Sequence, residues 1–188
     1  MSDHFRAERR LADIDFAGLT RRRTYFPSPA AWEDEVLYFL FVDRFSDGHE
    51  FGGFGDIDGN PVATAPGRIT PLFDLQRDAN NAQRQQWFAA GRGWCGGTIA
   101  AMQEKLGYLK RLGISAVWLS PVFRQVTGGN DYHGYGIQNF LDVDPHYGNR
   151  EQLRDFVAAA HAAGIRVILD IILNHAGDVF SYAGNHDY

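Results

Sequence analysis

The 188-residue sequence has a single cysteine, no long apolar run and no large excess of charge of either sign. Because Cys95 has no second cysteine to pair with, an intrachain disulfide is excluded. No apolar stretch approaches the ~20 residues that cross a bilayer, and the charged first ten residues lack the apolar core of a secretory signal. We therefore expect a cytoplasmic protein with no membrane partner.

The charge balance argues against one further class of partner. The sequence contains 18 basic and 23 acidic side chains, which gives a formal net charge of −5. Proteins that bind nucleic acid usually carry a basic surface, so we expect no nucleic acid partner. The hydrophobic fraction of 45% and the charged fraction of 22% are ordinary for a soluble globular domain.

Three short apolar runs alternate with two segments of helical periodicity. The runs occupy residues 36–42, 114–119 and 165–173, and their nearly continuous apolar character predicts strands that are buried on both faces. The helical segments lie between them, at residues 98–113 and 149–164. Each begins at a residue that can cap a helix, Thr98 or Asn149, and each ends at a glycine.

This alternation predicts an α/β fold with parallel strands and helical crossovers. Two architectures fit the order of elements, namely an open doubly wound sheet or a segment of a (β/α) barrel. A doubly wound nucleotide-binding domain is disfavoured because no G-x-G-x-x-G follows the first strand. Residues 1–34 form an N-terminal extension, and residues 35–188 form the main domain, in which long loops follow the first two strands.

Polar residues near the strand ends are the candidates for chemistry, because ligands gather at the carboxyl ends of parallel strands. Asp170 interrupts the third apolar run, where an ionised carboxylate is costly unless it is paired. Asp170 therefore belongs either to a structural ion pair or to a functional site. The loop at residues 130–136 holds Tyr132, His133 and Tyr135, which suit either a platform for a sugar or an ordinary surface loop.

Five segments together resemble the α-amylase family of glycoside hydrolases, in the order and spacing that the family shows. In the last of them, Asp170 is followed four and five positions later by Asn174 and His175, as in the family's first signature region. The resemblance covers roughly residues 36–180. The five segments are residues 43–48, 112–123, 131–135, 143–148 and 161–175.

The resemblance implies a partial (β/α)8 TIM barrel, made of the first three β/α units with long βα loops and truncated after strand three. It also implies an α-glucan or α-glucoside substrate. Tyr135 would stack on the sugar before the scissile bond, and His133 and His175 would hydrogen-bond its hydroxyls. Asp170 would orient the site as a buried carboxylate. Asn174 would ligate calcium, for which an oxygen donor is suited.

Two residues depart from the family pattern within this region. Gly136 stands where the family often carries tryptophan, and Asn139 stands where it often carries aspartate. Both lie close to the predicted sugar platform in the sequence. The departures therefore predict an altered platform.

The resemblance places the nucleophilic aspartate after strand four, the acid/base glutamate after strand five and a helper aspartate after strand seven. None of these strands is present, so we expect no catalytic residue within this chain. The sequence then represents the N-terminal portion of a retaining glycosidase or glucanotransferase, inactive by itself. The alternative is a non-catalytic carbohydrate-binding or partner module. Unpaired strand edges also predict self-association.

Overall fold

The computed structural model describes residues 10–19, 25–48, 54–55, 61–62, 92–126 and 130–180. The described strands are β1 (Leu37–Leu40), β2 (Phe54–Gly55), β3 (Pro61–Val62), β4 (Ala116–Leu119), β5 (Phe123–Gln125), β6 (Ile137–Val143) and β7 (Arg166–Leu169). The described α-helices are α1 (Phe16–Leu19), α2 (Val42–Phe45), α3 (Ile99–Glu104), α4 (Leu106–Arg111) and α5 (Arg150–Ala162). Single 3₁₀ turns occur at Leu11–Asp13 and Trp32–Asp34.

The centre of the fold is a three-stranded parallel sheet in the order β1-β4-β7. Its register aligns Phe39 with Trp118 and Trp118 with Ile168. The prediction of parallel strands separated by helices is therefore confirmed. The third strand is shorter than predicted and ends at Leu169, because β4 stops before Pro121, which has no N–H to donate. Residues 171–173 then have no ladder partner on β4.

The helices between these strands begin and end where the sequence predicts. The Thr98 hydroxyl accepts a hydrogen bond from the Ala101 N–H at 3.1 Å, and Gly113 adopts a left-handed φ of +87° just after α4. At the start of α5, Asn149 and Gln152 form a capping box with bonds of 2.9 and 3.0 Å. The predicted helix over residues 98–113 is, however, interrupted at Lys105, so that it forms α3 and α4.

The hydrophobic core lies between the sheet and these helices. Val117 and Leu119 of β4 are fully buried against Met102, Leu109 and Phe156. The opposite face of the sheet carries Phe39 and Trp118, which remain 42% and 40% exposed. Their rings meet edge to face at 5.2 Å. Within the described residues, the sheet is thus apolar on both faces but covered on only one.

A β-hairpin formed by β5 and β6 lies within the long loop predicted after the second strand. Ile137 and Val143 are buried at the two ends of β6, but burial does not alternate along the strand between them. The neighbouring apolar residues Phe140 and Leu141 are both exposed. The hairpin also contains register shifts beside Arg124, so its period-two pattern is broken on both strands.

Part of the N-terminal extension packs where β7 begins. Arg166 donates to Glu35 Oε1 at 2.8 Å and to the Pro27 carbonyl at 3.3 Å. The Phe26 ring stacks on the His161 imidazole of α5 at a centroid distance of 4.5 Å. Residues of the predicted extension (1–34) and of the predicted main domain (35–188) are therefore held together at the same end of the sheet. No helix in the described part of the chain is long and apolar enough to span a membrane.

Candidate functional site

The candidate site lies at the carboxyl ends of the parallel strands. Asp43 follows β1, Pro121 follows β4 and Asp170 follows β7. The loop at residues 130–136 and the segment at residues 174–177 meet at the same end of the sheet through hydrogen bonds. This is the end where α/β folds place their ligands.

Tyr135 is the residue on which the predicted site residues converge. Its hydroxyl donates a hydrogen bond to Asp170 Oδ2 at 3.0 Å. Burial raises the pKa of the Tyr135 hydroxyl above its ordinary value, and the neighbouring Asp170 carboxylate raises this pKa further. The phenol is therefore held in its neutral form, in which it donates the hydrogen bond. Asp170 is partly exposed rather than buried as predicted, and among the described residues it forms this bond and no ion pair.

Two histidines bind the backbone of Tyr135 from either side. The Tyr135 N–H donates to His133 Nδ1 at 3.1 Å, and His175 Nε2 lies 3.1 Å from the Tyr135 carbonyl oxygen. Because a carbonyl only accepts, His175 must carry its proton on Nε2. His133 accepts on Nδ1, so its neutral form also carries the proton on Nε2, which lies 3.7 Å from Asp131 Oδ1. Tyr135 thus fixes both tautomers.

The loop that carries Tyr135 is anchored at two further points. Gly134 adopts a left-handed φ of +90°, and a Cβ at this position would collide with the Pro121 carbonyl oxygen. Tyr147 donates from its hydroxyl to the Tyr132 carbonyl at 2.7 Å. Burial raises the pKa of Tyr147 strongly, with Asp43 and Asp144 adding to the shift, so its hydroxyl remains a donor.

Arg44 joins this loop to the end of β1, a role that was not predicted from the sequence. Its guanidinium carbon lies 3.9 Å above the Tyr132 ring, as in a cation–π contact. Arg44 also donates to the Gly93 carbonyl at 2.8 Å and contacts Cys95 Sγ. Arg44 follows Asp43 in the motif at residues 43–48, and this motif was the sequence signal that could have indicated its role.

Asp43 is 2% exposed and orders the segment before α3. Its carboxylate accepts from the Cys95 N–H at 2.8 Å and from the Gly96 N–H at 3.0 Å, and it pairs with Arg44 at 3.2 Å. Burial raises the pKa of the Cys95 thiol, and Arg44 opposes this shift less strongly. A raised thiol pKa disfavours a nucleophilic thiolate. We therefore assign Asp43 and Cys95 a structural role.

A second buried carboxylate, Asp144, orders the base of the hairpin. It accepts from the Gln125 N–H at 2.8 Å and from the His146 N–H at 2.9 Å, and the His146 ring nitrogen Nδ1 lies 2.7 Å away. The His146 ring also stacks on Trp94 at 3.9 Å. Through His146, Asp144 thus links the hairpin to the segment before α3.

The structure gives Asn174 no further cation ligands among the described His, Cys, Asp and Glu side chains. Its side chain is exposed, and Nδ2 lies 3.4 Å from His175 Nδ1, which directs the amide nitrogen toward the imidazole. The amide oxygen is one donor, whereas calcium takes six to eight oxygens. No group of three or more His, Cys, Asp or Glu side chains in the described part of the chain is arranged to hold a metal. Asn174 alone therefore does not amount to a calcium site.

The resulting arrangement presents an aromatic ring and two imidazoles at one surface. The ring planes of His133 and Tyr135 make an angle of 27°, with centroids 5.7 Å apart. Flat aromatic faces pack against apolar faces of ligands, and imidazole N–H groups can donate to hydroxyl oxygens. The combination suits a ligand that offers an apolar face beside hydroxyl groups.

Comparisons with known proteins identify the family. A sequence model described as the alpha amylase catalytic domain matches residues 39–187. The chain belongs to the α-amylase family of glycoside hydrolases, so the predicted resemblance is confirmed. The catalytic domain of this family is a (β/α)8 barrel, and the α/β class predicted from the sequence agrees with it.

Two individual relatives also match this chain, over alignments of different length. The chain is 28% identical to neopullulanase 2 of Thermoactinomyces vulgaris over 180 residues, which are 94% of this chain and 26% of that protein. It is 41% identical to an alpha-amylase of Streptomyces lividans over 101 residues, which are 50% of this chain and 11% of that protein. The chain spans about a quarter or less of these curated relatives.

A solved structure supports the fold. The alpha-amylase of Geobacillus thermoleovorans, complexed with acarbose, superposes with a TM-score of 0.52 at 31% identity. The superposition covers 79% of this chain and 25% of that one. The fold of the described residues is therefore shared with part of an α-amylase.

Proposed function

We propose that this chain is the N-terminal part of a retaining glycosidase or glucanotransferase that acts on α-linked glucosyl substrates, and that it carries half of a sugar subsite. The observation that carries the proposal is the convergence of His133, Asp170 and His175 on Tyr135. His133, His175 and Asp170 hold Tyr135 at its backbone N–H, its backbone carbonyl and its side-chain hydroxyl, respectively. In this proposal the described sheet forms the first three strands of the family's barrel.

The geometry suits binding rather than bond cleavage. The ring of Tyr135 would pack against the apolar face of a glucosyl unit, and the Nε2–H of His133 would donate to a hydroxyl oxygen. His175 would bind the same sugar only after a shift, because its Nε2 already faces the Tyr135 carbonyl. Asp170 acts through Tyr135 in this scheme and does not touch the sugar.

The chemical step needs two carboxyl groups about 5–5.5 Å apart, one as nucleophile and one as acid/base. The family places them after later strands of the barrel, so we propose that neither is in this chain. We also propose that a calcium ion binds near Asn174 in the complete protein. Its remaining oxygen ligands would come from outside the described residues.

A non-catalytic carbohydrate-binding module is the second candidate. It is favoured by the fact that the contacts around Tyr135 all lie within this chain and need no further residue to form. Both candidates predict sugar binding by the isolated chain. They differ in whether the gene that encodes it continues into strands with catalytic carboxylates.

Self-association is a further part of the proposal. Phe39 and Trp118 are exposed on the uncovered face of the sheet, and among the described residues β1 and β7 are each paired on one side only. Exposed apolar faces and strand edges recruit other chains. We propose that isolated copies associate through this face and these edges.

The test is a ligand-observed NMR titration of the 188-residue chain with maltotriose, using β-linked cellotriose as the control sugar. Saturation transfer to maltotriose should be seen with the unaltered chain and lost in Tyr135→Ala. Tyr108→Ala changes an exposed tyrosine on α4 and should retain the signal. Equal transfer to both sugars, or to maltotriose in all variants, contradicts the proposed site. Release of sugar from maltotriose would show that catalytic groups are present after all.

A further inference from the structure

We infer that Gly177 is a positioning residue for His175, because its lack of a side chain lets the segment at residues 175–177 lie directly on the backbone of Gly136. The segment keeps the imidazole of His175 at the Tyr135 carbonyl. This inference rests on the proposed sugar site. It assigns a function to a residue that makes no contact with sugar itself.

Two contacts place the segment alongside the start of β6. His175 Nε2 lies 3.1 Å from the Tyr135 carbonyl oxygen, and the Gly177 N–H donates to the Ile137 carbonyl at 2.7 Å. The two contacting residues of the segment, at positions 175 and 177, are two positions apart, and so are their partners at positions 135 and 137. The segment therefore follows residues 135–137 over its length, and Gly136 lies between the two contacts.

The space at Gly177 is closed chiefly by the backbone of Gly136. A Cβ on Gly177 would lie 2.7 Å from both the carbonyl carbon and the carbonyl oxygen of Gly136, and 2.6 Å from Val126 Cγ2. Real Cβ atoms do not approach other heavy atoms this closely. The Gly136 carbonyl is itself held, because it accepts from the Val126 N–H at 2.8 Å. A methyl group at position 177 must therefore move the 175–177 segment away from the hairpin.

Backbone strain does not explain why position 177 requires a glycine. The described glycines with left-handed φ do not include Gly177, so the need is for space. Gly136 differs, because a Cβ there would lie 2.5 Å from Asp131 Cγ, and that carboxylate can rotate about its side-chain bonds. The two glycines are in contact, but only Gly177 faces backbone.

The first measurement is amide hydrogen exchange at single-residue resolution on the 188-residue chain. Gly177→Ala should speed exchange of the amide at position 177 by about tenfold or more, while amides of β7 and α5 keep their rates. Gly93→Ala is the matched control, because a Cβ there meets nothing within 4 Å, and it should leave position 177 unchanged. Gly136→Ala should have a smaller effect than Gly177→Ala.

Three exchange results would overturn the inference. The first is an unchanged rate at position 177 in Gly177→Ala. The second is faster exchange that extends equally through β7 and α5, which would indicate general destabilisation. The third is an unprotected amide at position 177 in the unaltered chain.

Maltotriose titration separates this inference from the proposed function. If the unaltered chain binds maltotriose, Gly177→Ala should bind it about tenfold more weakly, because Tyr135 loses the hydrogen bond that His175 donates to its carbonyl oxygen, and one hydrogen bond corresponds to about that factor. Unchanged affinity together with faster exchange at position 177 would overturn the positioning role. If the unaltered chain does not bind maltotriose, the sugar site fails, and the exchange rates still decide whether Gly177 holds His175.

Discussion

The hydroxyl of Tyr135 donates to Oδ2 of Asp170 at 3.0 Å, and this bond joins two residues that are 35 positions apart in the chain. It connects a loop between two hairpin strands to the carboxyl end of a strand in the central sheet. The carboxylate can only accept and the neutral phenol donates, so the bond depends on the protonation state of both groups.

Replacing Asp170 with Asn should lower the pKa of Tyr135, because the negative charge that opposes phenolate formation is removed. Burial remains, so the pKa should stay above the ordinary value of about 10. The pKa is measured from tyrosinate absorbance during alkaline titration, and subtraction of the Tyr135→Phe titration isolates the one phenol. A Tyr135 pKa that is unchanged or higher in Asp170→Asn would show that the charge does not act on this hydroxyl.

The raised pKa of Tyr135 also predicts how stability depends on alkaline pH. The folded state retains the phenolic proton more tightly than the unfolded state, so this contribution is complete below about pH 10 and is lost as the pH rises through the folded-state pKa. The free energy of unfolding should fall less steeply above pH 10 in Tyr135→Phe than in the unaltered chain. Urea unfolding at several pH values tests this difference. Parallel curves would contradict it.

Removing the buried carboxylate of Asp43 should destabilise the chain markedly. Asp43→Ala leaves the N–H groups of Cys95 and Gly96 without an acceptor and Arg44 without its pair. The free energy of unfolding should fall by about 3 kcal/mol, as for other broken buried pairs. Asp155→Ala is the control, because its pair with Arg154 is exposed and should contribute little. Similar unfolding midpoints for the two variants would refute the structural role of Asp43.

Self-association should depend on the uncovered face of the sheet. Trp118→Thr removes an exposed aromatic from this face and keeps a residue that favours strands, so it should shift the chain toward monomer in sedimentation velocity. Leu112→Thr is the control, because it also removes an exposed apolar side chain. Leu112 is 52% exposed and Trp118 is 40% exposed, but Leu112 lies at the end of α4. Leu112→Thr should not change the distribution. A monomeric unaltered chain, or an equal shift in both variants, would exclude this face as the contact.

Local features of the fold could be predicted from the sequence because they depend on neighbours within a few residues. The capping box of Asn149 and Gln152 spans three positions, and Thr98 caps α3 over the same distance. The apolar runs predicted the parallel strands, although not their ends. The end of the third strand depends on Pro121, which follows the neighbouring strand β4, and periodicity along one run does not reveal this.

The candidate residues were predicted from motifs, whereas their contacts were not. The motifs identified His133, Tyr135, Asp170 and His175, but gave no indication that the other three would converge on Tyr135. The proposed roles of these residues toward sugar, and that of Asn174 toward calcium, stay predictions. The β5–β6 hairpin was missed because its register shifts and exposed apolar residues break the alternation by which strands are recognised.

The sequence by itself determined the family, the order of the three strands of the central sheet with helices between them, and the residue types at the ends of these strands. Only the tertiary structure decided that Asp43 orders residues 52 and 53 positions away and that Gly177 meets the backbone of Gly136. The physical reason is that caps and periodicities are set by short stretches of backbone. Hydrogen bonds and close approaches between distant segments exist only once the sheet and its helices have packed.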